Sequence, residues 1–267
     1  MTTTRRLRST ALATLALTAG LLGSGCSSSG SGPEAIERPA SSSVVAPSST
    51  TGGSGDATTS TTAPATADQA FVVRSTSDLV LHDQPDAGSP SRTVPATNEF
   101  GSALALLVTA QQPGWVEVLV PGRPTGARAW LEVEAAADLE LRAVTTRIEV
   151  DLAARTLTLF DDGEVVLTTP VAVGAADSPT PTGFFSVTDK LQDPNPNGAY
   201  GPFALGLSGR SEVITDFAGG DGQIGIHGTN DPSSIGQDVS HGCIRVPNEV
   251  ISQLNELLPL GTPVVVR

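Results

Sequence analysis

Only one stretch of this 267-residue chain, Glu249 to Leu258, repeats its apolar residues at helical spacing. Val250, Ile251, Leu254, Leu257 and Leu258 fall on one face there, and Asn248 stands where an N-cap would. Elsewhere the foldable part consists of short alternating runs cut by Gly, Pro, Asp and Asn. That pattern restricts the fold to a mainly β architecture with a single helix near its end. The runs form two groups. Within residues 71–144 they are Leu79–His82, Ala103–Thr109, Trp115–Val120 and Ala129–Val133, a spacing that suggests a small barrel. Within residues 145–267 they are Arg147–Leu152, Thr156–Phe160, Val165–Leu167, a strand ending at Gly174, Phe184–Thr188, Ala204–Leu207, Glu212–Phe217, Gln223–Ile226 and Val264–Val266. Asp161-Asp162-Gly163 reads as a hairpin turn, and Pro179 to Gly183 as a rigid one.

The first 70 residues are different. The chain starts with three arginines and no acid in eight residues, continues with an apolar run from Thr10 to Leu22, and leaves it through small residues to Cys26. Residues 1–26 therefore read as an export signal, too short for a comfortable membrane span. The exit L-L-G-S-G-C resembles the lipobox of bacterial lipoproteins, with Gly23 where that pattern has Leu. The resemblance implies lipidation at Cys26 and a membrane anchor. Residues 27–70 are Ser, Thr, Gly, Pro and Ala with few bulky apolar side chains, a composition that cannot offset backbone entropy and reads as a flexible tether. The formal net charge is −13 despite the basic start, which argues against nucleic acid as a partner.

Two of the three histidines and one of the two cysteines lie in a single window, His227 to Arg245. The tether separates Cys26 from that window, so Cys243 is a solitary thiol rather than half of a disulfide. No cysteine or histidine cluster has zinc spacing, and no metal site is expected. A free thiol is only a few per cent ionised at neutral pH, so a cysteine nucleophile needs a base beside it. His227 ends a predicted strand at a glycine turn. His241 is two residues from Cys243 and would share its face in an extended segment. Spacing alone leaves both histidines open as the base. Gly242 allows a tight turn at the thiol, where backbone amides can face a developing oxyanion. Arg245 is close enough to hold a substrate carboxylate, and Tyr200, in a loop, either lines a cleft or packs the loop.

The window resembles the catalytic domain of L,D-transpeptidases of the YkuD type. The motifs are Ile226-His227-Gly228-Thr229 and, with 12 residues between His227 and Ser240, Ser240-His241-Gly242-Cys243-Ile244-Arg245. The upstream P-T-P-x-G-x-F element matches Pro179 to Phe185, and the closing helix and strand match as well. The resemblance covers about 145–267 and implies Cys243 as nucleophile and His227 as general base. It implies Ser240, His241, Gly242 and Arg245 as shapers of the oxyanion hole and cleft. Gly228 occupies a place where some members carry serine, whose carbonyl orients the ring; Arg245 replaces the asparagine of others. The implied substrates are peptidoglycan stem peptides, joined 3→3 through a thioester, with no cofactor and with acylation by carbapenems. Water as acceptor would make the chain an L,D-carboxypeptidase, and a third reading is a non-enzymatic wall-binding protein. The first group of strands resembles bacterial SH3-like domains through Leu79-Val80-Leu81-His82, Gly114-Trp115-Val116-Glu117-Val118 and Trp130-Leu131. His82 is expected on a strand-edge surface. Trp115 and Trp130 either pack in the core or stack on a ligand. The expected location is the cell envelope, on the outer face of the cytoplasmic membrane, as a monomer.

Overall fold

A computed structural model describes residues 69–136, 138–216 and 220–267. The predicted signal, Cys26 and nearly all of the predicted tether lie outside the described residues.

Seven strands build the first sheet: β1 Ala70–Arg74, β2 Leu79–His82, β3 Ser91–Val94, β4 Ala105–Gln112, β5 Trp115–Leu119, β6 Arg128–Glu132 and β7 Glu140–Val144. They pair in the order β3-β2-β6-β5-β4-β1-β7, antiparallel throughout. Strand alternation sends Leu79, Leu81, Val116, Val118, Ala129 and Leu131 to one side, where they pack with Val73 and Leu106. β3 was not visible in the sequence because its Ser-Arg-Thr-Val segment has no buried residue. His82, expected at the surface, is instead buried beneath Trp115.

The second sheet has the order β10-β9-β8-β17-β12-β13-β14-β16. Its strands are β8 Thr146–Asp151, β9 Thr156–Asp161, β10 Glu164–Pro170, β12 Gly183–Gln192, β13 Phe203–Arg210, β14 Gln223–His227, β16 Ile244–Arg245 and β17 Pro263–Val266. β11 Val173–Gly174 and β15 Asp238–Ser240 form a separate parallel pair. The β9–β10 hairpin turns where predicted: Asp162 and Gly163 both take positive φ, 51° and 82°, as a two-residue turn matched to strand twist requires. Helix α1, Asn248–Leu257, buries Ile251 and Leu254 against this sheet's core, and Leu258 follows them inward. Leu257, predicted on the buried face, is half exposed, because the helix ends beside it.

Two expectations fail because a side chain is spent on a different partner. Of the expected strand Glu212–Phe217, residues 212–216 join no ladder and Phe217 lies outside the described residues; the Ser211 hydroxyl accepts the amides of Val213 and Ile214, which bends the segment. Asn248 is not the helix cap. Pro247 holds that position, and the Asn248 carboxamide is used elsewhere.

The two sheets belong to one compact unit and touch through both polar and apolar contacts. Val72, Leu107 and Leu119, on the outer face of the first sheet, pack with Phe184 and Leu260. Gly122 N–H donates to Ser208 O at 3.0 Å, and Arg123 donates to the carbonyls of Ser211 at 2.7 Å and Asp221 at 3.1 Å. The Thr125 hydroxyl donates to Arg210 O and accepts Arg210 N–H. Asn98 donates its amide to the buried carboxylate of Asp189, which also accepts from Thr188 and Gln223.

Candidate active site

The site is assembled where β14 and β16 run parallel. Ile226 pairs with Ile244 and His227 with Arg245, so Cys243 enters the sheet alongside Gly225, two residues before the histidine. Hydrophobic residues fix this register: Ile226, Ile244 and Val246 are fully buried in the same core. A second fastening comes from the antiparallel bridge between Arg245 and Ala172, whose two backbone bonds are each 2.9 Å.

His227 is 6% exposed, and its Nδ1 lies 2.6 Å from the carbonyl oxygen of Gly228. A carbonyl only accepts, so Nδ1 carries the proton and Nε2 presents its lone pair. Burial pushes the imidazole down to about 4; the Gly228 bond works against that shift and the Arg245 charge adds to it. Burial likewise raises the Cys243 thiol, opposed by the Gly225 backbone bond and by the positive charge of Arg245. The resting site therefore holds a neutral thiol and a neutral, unprotonated imidazole. A thiol in that state would give up its proton during an attack on a carbonyl rather than before it.

The Ser240–Cys243 segment is a staple. The buried Ser240 hydroxyl donates to the Cys243 carbonyl and accepts Gly242 N–H at 3.2 Å, while the Ser240 carbonyl takes bonds from Ala175 N and Ser178 Oγ. Gly242 sits at φ +112°, a conformation that disfavours any side chain. Its amide is engaged in the turn, donating to the Ser240 hydroxyl. The same turn breaks the extended geometry assumed for His241 and Cys243. The His241 side chain is exposed while Cys243 is half-buried.

Tyr200 meets the imidazole edge-on, with ring centroids 4.8 Å apart at 61°. It is 37% exposed, and its hydroxyl is held above its ordinary value first by burial and then by Cys243 once that thiol is ionised. Tyr200 therefore lies at the rim of the thiol pocket. Arg245 is half-buried and makes no ion pair among the described residues, so its guanidinium is uncommitted beside the thiol. The exposed Asp221 pairs with Arg210 at 2.6 Å. Asp231 accepts from Ser233 at the start of a short 3-10 turn.

Asn248 was missed as a site residue. Its Oδ1 accepts Thr229 N–H at 2.8 Å, and a Cβ added at either Gly201 or Gly228 would come within 2.3 Å of that oxygen. One carboxamide thus holds together the start of α1, the turn whose carbonyl orients His227, and the loop that carries Tyr200. Its position shortly after Arg245 was the available signal, but it read as a helix cap. Among the described residues no group of three or more His, Cys, Asp or Glu could hold a metal ion.

Residues 145–266 match the YkuD family, described as an L,D-transpeptidase catalytic domain. The YkuD protein of Bacillus licheniformis is 42% identical over 118 residues, covering 44% of this chain and 63% of the relative. That of Bacillus subtilis is 40% identical over 120 residues, covering 45% and 65%. The matched region thus spans somewhat under two thirds of the curated relatives. Among solved structures, the catalytic domain of an Enterococcus faecium L,D-transpeptidase is 30% identical, covering 46% of this chain and 96% of that domain with a TM-score of 0.34.

Proposed function

Since residues 145–266 belong to the YkuD family of L,D-transpeptidase catalytic domains, we propose that this protein is a peptidoglycan L,D-transpeptidase working through a thioester on Cys243. The observation that carries the reading is the 2.6 Å contact from His227 Nδ1 to Gly228 O, on a strand parallel to the one that follows the thiol. It leaves Nε2 as the basic atom. In the first step Sγ attacks the carbonyl at the L-centre of a diaminopimelate in a tetrapeptide stem. The thiol proton passes to Nε2 and then to the departing amine of D-alanine, leaving the acyl group on sulfur. In the second step the side-chain amine of a neighbouring diaminopimelate attacks the thioester. His227 takes the amine proton and returns it to the leaving sulfur, and a 3→3 cross-link results. Arg245 holds a stem carboxylate, and Tyr200 closes one side of the pocket over the imidazole. Ser240 and Gly242 shape the turn that presents the thiol.

The small β module of residues 71–144 and the catalytic domain form the envelope-facing head of an exported monomer. Residues 1–26 export it, Cys26 anchors it by lipid to the cytoplasmic membrane, and residues 27–70 provide reach.

The test uses purified protein and a disaccharide-tetrapeptide, with products read by mass spectrometry. The expected product is a cross-linked dimer lacking one D-alanine, together with a Cys243 adduct on exposure to a carbapenem. Tripeptide without any dimer would mean that water is the acceptor. Full cross-linking by a Cys243→Ala protein would overturn the cysteine mechanism.

A further inference from the structure

The first sheet carries a cluster that the chemistry at Cys243 does not use. Alternation that sends Val116, Val118, Ala129 and Leu131 inward turns Trp115, Glu117 and Trp130 outward. The same face, a short distance along, packs on the second sheet through Leu107 and Leu119, so the cluster continues from an interface within the molecule. Trp115 pairs with Glu132 and Trp130 with Glu117, which sets the two indoles diagonally across β5 and β6. On the other side of β6, His82 pairs with Trp130, and its ring meets Trp115 edge-on with centroids 5.3 Å apart.

Two features of this cluster are incomplete without a ligand. Both indoles are half-buried and neither belongs to the module's core, so large apolar faces are left at the surface. His82 is 8% exposed, yet its Nδ1 is buried with no hydrogen-bond partner. Such an orphaned polar atom costs about 1–3 kcal/mol and calls for an explanation. Glu117 borders the cluster, accepting from the Thr109 hydroxyl at 2.7 Å and pairing with Arg128 at 3.2 Å.

We propose that Trp115, Trp130 and His82 form a saccharide-binding site that takes the uncharged hexosamine units of a glycan strand. A pyranose has a flat face of C–H groups, whose partial positive charge suits the electron-rich face of an indole, and a rim of hydroxyls. The Glu117 carboxylate accepts from such a rim, and a shift of the Trp115 ring would open the buried His82 Nδ1 to a hydroxyl. An anionic ligand fits less well on a chain of net charge −13 with a carboxylate bordering the site. The choice of an N-acetylated hexosamine polymer rests on the function proposed above; the saccharide class rests on the face itself.

The chain contains two tryptophans, both in this site, so intrinsic emission reports on it directly. Full-length Cys243→Ala protein, which does no chemistry, is titrated with an N-acetylglucosamine tetramer and separately with a sugar-free tetrapeptide stem. A saturable change in emission with the tetramer and none with the stem is expected. By calorimetry, Trp130→Ala and His82→Ala should weaken tetramer binding by about tenfold or more. With Cys243 intact, the same variants should be acylated by a carbapenem at within about twofold of the parent rate. No saturable response to the tetramer, a response to the stem alone, or undiminished binding in the variants would overturn the site. Sugar binding by a protein whose intact form performs no acyl transfer would overturn the function and leave the site standing.

Discussion

At the scale of single residues, the mechanism proposed above depends on keeping His227 neutral. A base held at about 4 is unprotonated throughout the neutral range, so Cys243 acylation by a carbapenem should keep its base-dependent rate as pH falls from 7 to 5 and lose it as pH passes below about 4. Replacing His227 with Gln should slow acylation by about 100-fold or more, and replacing the exposed His241 by much less; the opposite order would reverse their roles. The same shift affects stability. The unfolded histidine titrates at 6.5 and the folded one at about 4, so the unfolded chain binds the extra proton between those values. This contribution is fully present above pH 6.5 and is lost as pH falls toward 4, about 3 kcal/mol in all. Denaturant midpoints measured across that window, compared with His227→Gln, would show it. Gly228 is the other sensitive residue. A methyl there would meet Asn248 Oδ1 at 2.3 Å and Ile251 at 3.2 Å, so Gly228→Ala should cost about 1–3 kcal/mol and slow acylation through misplacement of His227.

At the scale of elements, α1 and the β9–β10 hairpin show what pattern does and does not reveal. The helix was legible because its apolar residues repeat, but periodicity could not say which of five would be covered. Leu254 is fully buried and Leu257 half exposed. Leu254→Ala should therefore destabilise by about 2–5 kcal/mol, and Leu257→Ala by about 0.5 kcal/mol or less, in chemical denaturation of each variant. The hairpin was legible because Asp162-Gly163 is turn chemistry that acts locally. Residues 212–216 of the expected strand at Glu212–Phe217 join no ladder because the Ser211 hydroxyl offers their backbone a competing partner.

At the scale of the molecule, the two sheets act as one body. Loops at Asn98 and at Gly122–Thr125 grip β12, β13 and the segment after β13, and the apolar contact of Leu107 and Leu119 with Phe184 and Leu260 completes the grip. Removing the Asn98 amide leaves the buried Asp189 carboxylate one donor short, a loss of about 1–3 kcal/mol. Asn98→Ala should therefore lower the melting temperature of the whole chain in a single calorimetric transition. A separate, earlier transition for the first module would show that the sheets unfold independently.

The sequence by itself determined what acts locally: the β-rich pattern, the one helix, the Asp-Gly turn, and the thiol with its two histidines. The motif around His227 and Cys243 was enough to point to the family whose model matches residues 145–266. Tertiary structure alone decided the rest. Strand register set Cys243 level with Gly225, two residues from His227, and a positive φ at Gly242 broke the extended run between His241 and Cys243. The Asn248 carboxamide was drawn into the space between two glycines 27 residues apart. The outward turn of Trp115 and Trp130 depends on which side of a curled sheet becomes the core. Each of these is a choice between faces or partners that a local pattern leaves equivalent, and packing against distant residues makes it.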